Sequence, residues 1–333
     1  MKIFITGIAG FLGSHLADRF IELGHEVLGN DNLLGGYEDN VHEKAQLFKV
    51  DCCDRERMTK IMQGADIVVH TAATAHEGLS VFSPDFITRN IFQASVSTIS
   101  AAIENNVKRF VYCTSMARYG NQQNPFTEDM TPAPVDPYGI AKVAGEEVLK
   151  VLCDTHGMTW NIAVPHNIVG PRQRYDDPFR NVMSIMINRN LQGKPAIVYG
   201  DGLQTRCFSY VDDCVNCLER ITLDENISGE IINIGPDEGT ITIKELAGLV
   251  ADETGVSEPP IFMPDRPREV KHATCSADKA RRLLGYNTRT NIRTAVIRTT
   301  EYIRRRGVKP FDYTFPLEIV NEHTPKTWKD KLI

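Results

Sequence analysis

The chain reads as an α/β protein, a doubly wound parallel sheet with a smaller α/β substrate domain. Two observations predict this. As far as Phe110, short β-rich runs alternate with segments of helical spacing, and a glycine-spaced turn, Gly7, Gly10 and Gly13, lies between the first strand-like run and the first helical one. Parallel strands need right-handed helical crossovers, which cover both faces of the sheet.

The elements follow in order. "KIFITG" is β-rich and "GSHLADRFIELGH" helical; "EVLGND", the run ending in "VDCCD", "ADIVVHTAA" and "KRFVYCTS" are further strands, the last preceded by helical "ITRNIFQASVSTISAAIENN". In "ITGIAGFLGSHLA" the small residues let the backbone approach a pyrophosphate, and the helix start offers free N–H groups and a positive dipole end. Asp31 follows the second strand about 20 residues on, where a carboxylate accepts hydrogen bonds from an adenosine ribose and repels a 2′-phosphate. The pattern predicts a Rossmann domain that prefers NAD to NADP.

Residues 1–165 form this domain, completed by 204–236, because "CFSYV" and "GEIINIG" read as strands returning to it. Residues 166–203 and 237–333 are left for the substrate domain. In the latter, "TITIKELAGLVADETG" reads as a strand followed by a helix with Thr242 as N-cap. The closing "FDYTFPLEIVNEHTPKTWKDKLI" carries no interpretable motif and reads as an extended tail over the surface or a neighbour.

Composition excludes several classes. With 333 residues, 24% of them charged, and a formal net charge of −6, there is no basic footprint for nucleic acid. No apolar run approaches the roughly 18 residues needed to span a membrane. The eight cysteines lack framework spacing, and the chain begins directly on a strand-like run with no signal peptide, so reduced thiols and a cytoplasmic location are expected. Cys214 and Cys217 form a lone CxxC within a helical pattern, and no metal site is expected.

The chemistry is carried by "PYGIAKVAGEEVL". Tyr138 and Lys142, at i and i+4, share a helix face. A phenol is a poor base at neutral pH, and a nearby ammonium favours its phenolate. Ser115 closes the preceding strand, at the sheet edge where ligands bind, and can hydrogen-bond the same substrate oxygen.

Together the glycine turn, Asp31, Ser115 and Tyr138-x-x-x-Lys142 resemble the extended short-chain dehydrogenase/reductase family, in its nucleotide-sugar epimerase and dehydratase branch, over nearly the whole chain. The resemblance implies tightly held NAD, with Tyr138 taking a proton from a sugar hydroxyl, Ser115 holding that oxygen, and Lys142 binding the nicotinamide ribose and lowering the tyrosine pKa. Phe11, Leu12, Asn32, Asp51, Cys52, Ala72, Ala73, Thr74, Asn90, Thr114 and Pro165 match the remaining cofactor positions. For the substrate it implies Met116, His166 and Asn167 near the sugar and diphosphate, with Asn181, Val182 and Tyr199 at the base. Arg206 and Arg266 fall to the phosphates and Glu269 to a nearby hydroxyl, with Arg268 as an alternative phosphate ligand. Uracil is the default base.

In 4,6-dehydratases of this branch an Asp–Glu pair follows the catalytic hydroxyl, and decarboxylating relatives keep a glutamate at the second position. Here Met116 and Ala117 stand there, so the site is equipped to oxidise and re-reduce one carbinol, which fits 4-epimerisation. His166 and Arg118 depart from the family pattern, as do His76 and Glu77 in "TAATAHEGLS", a loop that should border the nicotinamide. A chemical role for either histidine would reopen an atypical dehydratase or a 4-dehydrogenase/ketoreductase, and a catalytically silent NAD or nucleotide-sugar binder is the reading from another class. The helical stripes around Ile91–Ile103 and Val143–Leu152 match a four-helix homodimer interface in relatives, and the branch suggests a role in polysaccharide assembly.

Overall fold

The computed structural model describes residues 1–333. Its main sheet has seven parallel strands: β1 (Lys2–Thr6), β2 (Glu26–Asp31), β3 (Gln46–Lys49), β4 (Ile67–His70), β5 (Arg109–Cys113), β6 (Thr159–Pro165) and β7 (Glu230–Ile234). Their spatial order is β7-β6-β5-β4-β1-β2-β3. The strand order reverses between β1 and β4, which opens a crevice at their carboxyl ends.

Both faces of the sheet are covered, so the central strands are apolar almost throughout; every residue of β4 and β5 is buried. The helices Phe11–Glu22 and Val211–Leu223 pack on one face through Leu16, Phe20, Leu218 and Ile221. On the other, Met58, Ile99 and Leu149 bring in the helices Arg55–Ile61, Ala94–Glu104 and Pro137–His156. No helix is long and apolar enough to cross a membrane.

The smaller lobe is built from short pairings: Ile197–Tyr199 with Ile261–Met263, and Thr205–Arg206 between Ile241–Thr242 and His272–Ala273. Its helix Ile243–Thr254 begins at Thr242 in a full capping box with Glu245. One buried cluster runs from Ile3 and Val69 to Leu246 and Val250, so the lobes share an apolar core.

One expectation needs correction. "GEIINIG" joins the main sheet beside β6, but "CFSYV" does not; Ser209–Tyr210 pairs only with Ile168–Val169, as the chain at once enters the helix Val211–Leu223. The closing segment packs over the surface as a mostly irregular tail, as expected, and is anchored there. Phe315, Trp328 and Ile333 are buried with Leu79, Phe82 and Phe179, while the Glu318 carboxylate accepts from the N–H groups of Asp85 and Phe86 at 3.0 and 2.8 Å.

Candidate active site

A cavity of about 430 Å³ follows the carboxyl edge of the sheet from the glycine turn to the smaller lobe. At the first end, Gly7 has φ +71°, and a Cβ there would lie 2.9 Å from Ala72 Cα; a Cβ on Gly13 would lie 2.2 Å from the Gly7 carbonyl oxygen. Only glycine lets the turn close so tightly against the end of β4 and the following helix. Phe11 and Leu12 open that helix on the cavity wall.

Asp31, last residue of β2, accepts from the Ala9 N–H at 3.0 Å and the Leu33 N–H at 2.7 Å, one through each carboxylate oxygen. Burial raises its pKa, with those N–H groups opposing. Each oxygen keeps a lone pair for a ribose hydroxyl. Asn32 donates to Asp51 at 3.0 Å, and Cys52 is packed beneath, its thiol pushed up to about 12 by burial. Asn90 sits in a π-helical turn, Arg89–Gln93, and donates to the Phe86 carbonyl at 2.8 Å. Ala72, Ala73, Thr74, Thr114 and Pro165 also line this half. A constricted glycine turn and an acid at the end of β2 fit the adenosine diphosphate of NAD.

In the middle of the cavity, Ser115 Oγ accepts from the Ala117 N–H at 3.2 Å and caps the turn Met116–Tyr119. Tyr138 stands at the start of the Pro137–His156 helix, whose N-cap Asp136 accepts from the Gly139 N–H at 2.8 Å. Burial raises the Tyr138 pKa well above its usual value, the charge of Glu77 adds to this, and Ser115 and Arg180 oppose it. Lys142 Nζ donates to the Cys113 carbonyl at 2.8 Å, and burial lowers its pKa to about 8. The positive charge of Arg180 therefore works with the Ser115 hydrogen bond in favour of the phenolate.

Behind them, Thr114 and Arg118 both bond Glu146, with Arg118 Nη2 at 3.1 Å from Oε2. Arg118 is therefore a buried structural cation with its own counter-charge. His76 Nε2 is 2.7 Å from Asp177, under the Phe315 ring, and does not reach the cavity. His166, expected at the sugar, is a further correction. It is buried beside Asn233 and Gly235, away from the lining, and burial lowers its pKa to about 3. The strand alternation of β6 ends just before it, and the turn carries its ring into the core while Asn167 takes the cavity side.

At the far end, Arg266 forks onto Glu269 at 3.2 and 3.0 Å and lies 4.7 Å above the Tyr199 ring. Arg206 donates to the carbonyls of Thr205, Lys271 and Val270 at 2.8, 3.2 and 2.6 Å, which fixes its guanidinium at the wall. Arg268 lines only a side pocket of about 100 Å³, leaving Arg266 on the main cavity. Asn167, Asn181, Val182 and Met116 share the lining, and Asn181, at φ 69°, starts the Val182–Leu191 helix with its N-terminus toward the cavity.

Both Glu77 and Arg180 line the cavity; Glu77 was expected only to lie in a loop bordering the nicotinamide, with no role of its own, and Arg180 was given no place. The position of Glu77, in the loop directly after β4 at the reversal point, was a usable signal; Arg180 follows an irregular run that gave none.

Sheet, turn and the Ser115–Tyr138–Lys142 group define a nicotinamide-dependent enzyme of the short-chain type. The chain belongs to the NAD dependent epimerase/dehydratase family, whose profile matches residues 3–235, and its cofactor is NAD. It is 30% identical over 317 residues to the UDP-glucose 4-epimerase of Mycolicibacterium smegmatis, covering 92% of this chain and 100% of that one. Among solved structures it resembles the UDP-glucose 4-epimerase of Thermotoga maritima with UDP-glucose, at TM-score 0.86 and 30% identity over 92% of this chain and 99% of the other. It also resembles the UDP-glucuronic acid 4-epimerase of Bacillus cereus in complex with UDP-glucuronic acid and NAD, at TM-score 0.85 and 28% identity over 92% and 100%.

Proposed function

We propose that this enzyme is a UDP-sugar 4-epimerase in which Tyr138 is the acid–base. The observation that carries this is one continuous cavity holding Ser115, Tyr138 and Lys142 in its middle and Arg206, Arg266, Asn167 and Tyr199 at its far end, with no acid at Met116 or Ala117. The similarity to 4-epimerases along the whole length supports the same reading.

Bound NAD supplies the hydride acceptor and donor. Tyr138 removes the proton from the C4 hydroxyl and returns it after the sugar has turned, while Ser115 holds the C4 oxygen in both steps. Lys142, tied to the end of β5, holds the cofactor ribose and supplies positive charge. Arg206 and Arg266 pair with the diphosphate, Asn167 adds a side-chain amide, and the free face of Tyr199 stacks on the base. Holding the diphosphate leaves the sugar free to present either face. Ile140 and Val151, 55% and 64% exposed on the Pro137–His156 helix, support pairing with a second copy.

Incubation with UDP-glucose, UDP-galactose, UDP-N-acetylglucosamine and UDP-glucuronic acid, with no added cofactor, tests the reading. The H4 coupling in proton NMR reports inversion and identifies the sugar. Conversion of none of them, or accumulation of a keto sugar with reduced cofactor, goes against it.

A further inference from the structure

Glu77 has no work to do in a simple 4-epimerisation. It opens the short helix Glu77–Ser80 in the loop after β4, and its side chain projects into the cavity, in contact with cavity solvent yet enclosed by protein. Four carboxylates line this cavity, and three are committed. Asp31 accepts backbone N–H groups, Asp51 holds Asn32 and the Cys53 N–H, and Glu269 is forked by Arg266. Glu77 makes neither a hydrogen bond nor an ion pair through its carboxylate.

It lines the main cavity together with Ser115 and Tyr138, and also the side pocket that Met116, Ala117 and Asp136 share. Its charge acts on the Tyr138 phenol, and Arg180, Arg206, Arg266 and Asp136 are the charged groups that act on it in turn. Burial, with Asp136 adding to it, raises its pKa to about 6 against the pull of the arginines. A carboxyl group of that pKa both accepts and donates protons near neutrality. It approaches from the loop after β4, whereas Met116 and Ala117 leave the loop after β5 without a carboxylate.

We propose that Glu77 is a second acid–base of this site, exchanging the proton on a carbon that flanks C4 while C4 is a ketone. The inference rests on the 4-epimerase reading, under which C4 would be a ketone for part of the cycle. The C–H bond at C3 or C5 breaks, and its proton passes to a Glu77 carboxylate oxygen. The electron pair moves to the C4 oxygen as an enolate, hydrogen-bonded by Tyr138 and Ser115. Return of a proton from Glu77 restores the keto sugar, and contact with cavity solvent lets the carboxyl proton exchange with water between the two steps. No oxidant beyond the cofactor is consumed.

The holoenzyme is incubated in D₂O with the UDP-sugar it converts, and deuterium at C3 and C5 is read by mass spectrometry and NMR per C4 inversion. Incorporation at one of these carbons is expected, falling about 10²-fold per inversion in Glu77→Gln and partly restored in Glu77→Asp. C4 inversion with no deuterium in the wild-type product overturns the proposal and leaves the 4-epimerase reading intact. So does incorporation that Glu77→Gln leaves unchanged. Absence of both inversion and exchange with every sugar overturns the 4-epimerase reading, and this proposal with it.

Discussion

Lys142 Nζ donates to the Cys113 carbonyl oxygen at 2.8 Å, tying the ammonium to the last residue of β5, two positions before Ser115. Strand end and helix start are thereby joined, which holds Lys142 near the Ser115 end of β5. The carbonyl oxygen gives the buried ammonium a hydrogen-bond partner, which offsets part of the cost of its burial.

Replacing the phenol tests Tyr138. Tyr138→Phe keeps the ring and its packing but removes the proton carrier, so kcat is expected to fall by about 10²- to 10⁴-fold while NAD stays bound. Steady-state rates together with cofactor released on denaturation check both halves.

The lowered pKa of Lys142 has a consequence for pH dependence. An amine is cationic below its pKa, so the charge is present under neutral conditions and is lost as pH rises through about 8. kcat/KM is expected to decline above that pH, about tenfold per unit. Lys142→Arg, slower in absolute terms, should show no such limb, because its guanidinium stays charged.

The glycine turn is expected to govern cofactor retention. In Gly13→Ala the new methyl would lie 2.2 Å from the Gly7 carbonyl oxygen, and the helix must shift away from the pyrophosphate position. Purified Gly13→Ala is expected to carry far less NAD than the wild type, measured by absorbance after acid release.

The Arg118–Glu146 pair is expected to matter for folding. Both side chains are almost wholly buried, at 2% and 0% exposure, so Arg118→Ala leaves an uncompensated carboxylate and should cost about 3–5 kcal/mol in denaturant unfolding. The double replacement Arg118→Met with Glu146→Met should recover most of that loss.

The cofactor half was legible because its physics is local. A tight turn needs glycine at 7 and 13, an acid must end the second strand, and i, i+4 spacing puts Tyr138 and Lys142 on one face; each requirement shows in a few consecutive residues. What was not legible depends on distant partners. His166 reads like a site residue beside Asn167, and only the turn after β6 sends its ring into the core. The role of Arg118 depends on Glu146 from another element, and the tail could be placed only once Phe315 and Trp328 had Phe82 and Phe179 to pack on. Glu77 stands out only when every other cavity carboxylate is seen to be occupied.

Hydride removal from C4 and its return to the opposite face can be followed with a UDP-sugar deuterated at C4. With the enzyme in ordinary water, the account expects inverted product that keeps the deuterium at C4, since the label travels to the bound cofactor and back without meeting solvent. Inverted product with hydrogen at C4, or deuterium found in the water, would contradict it.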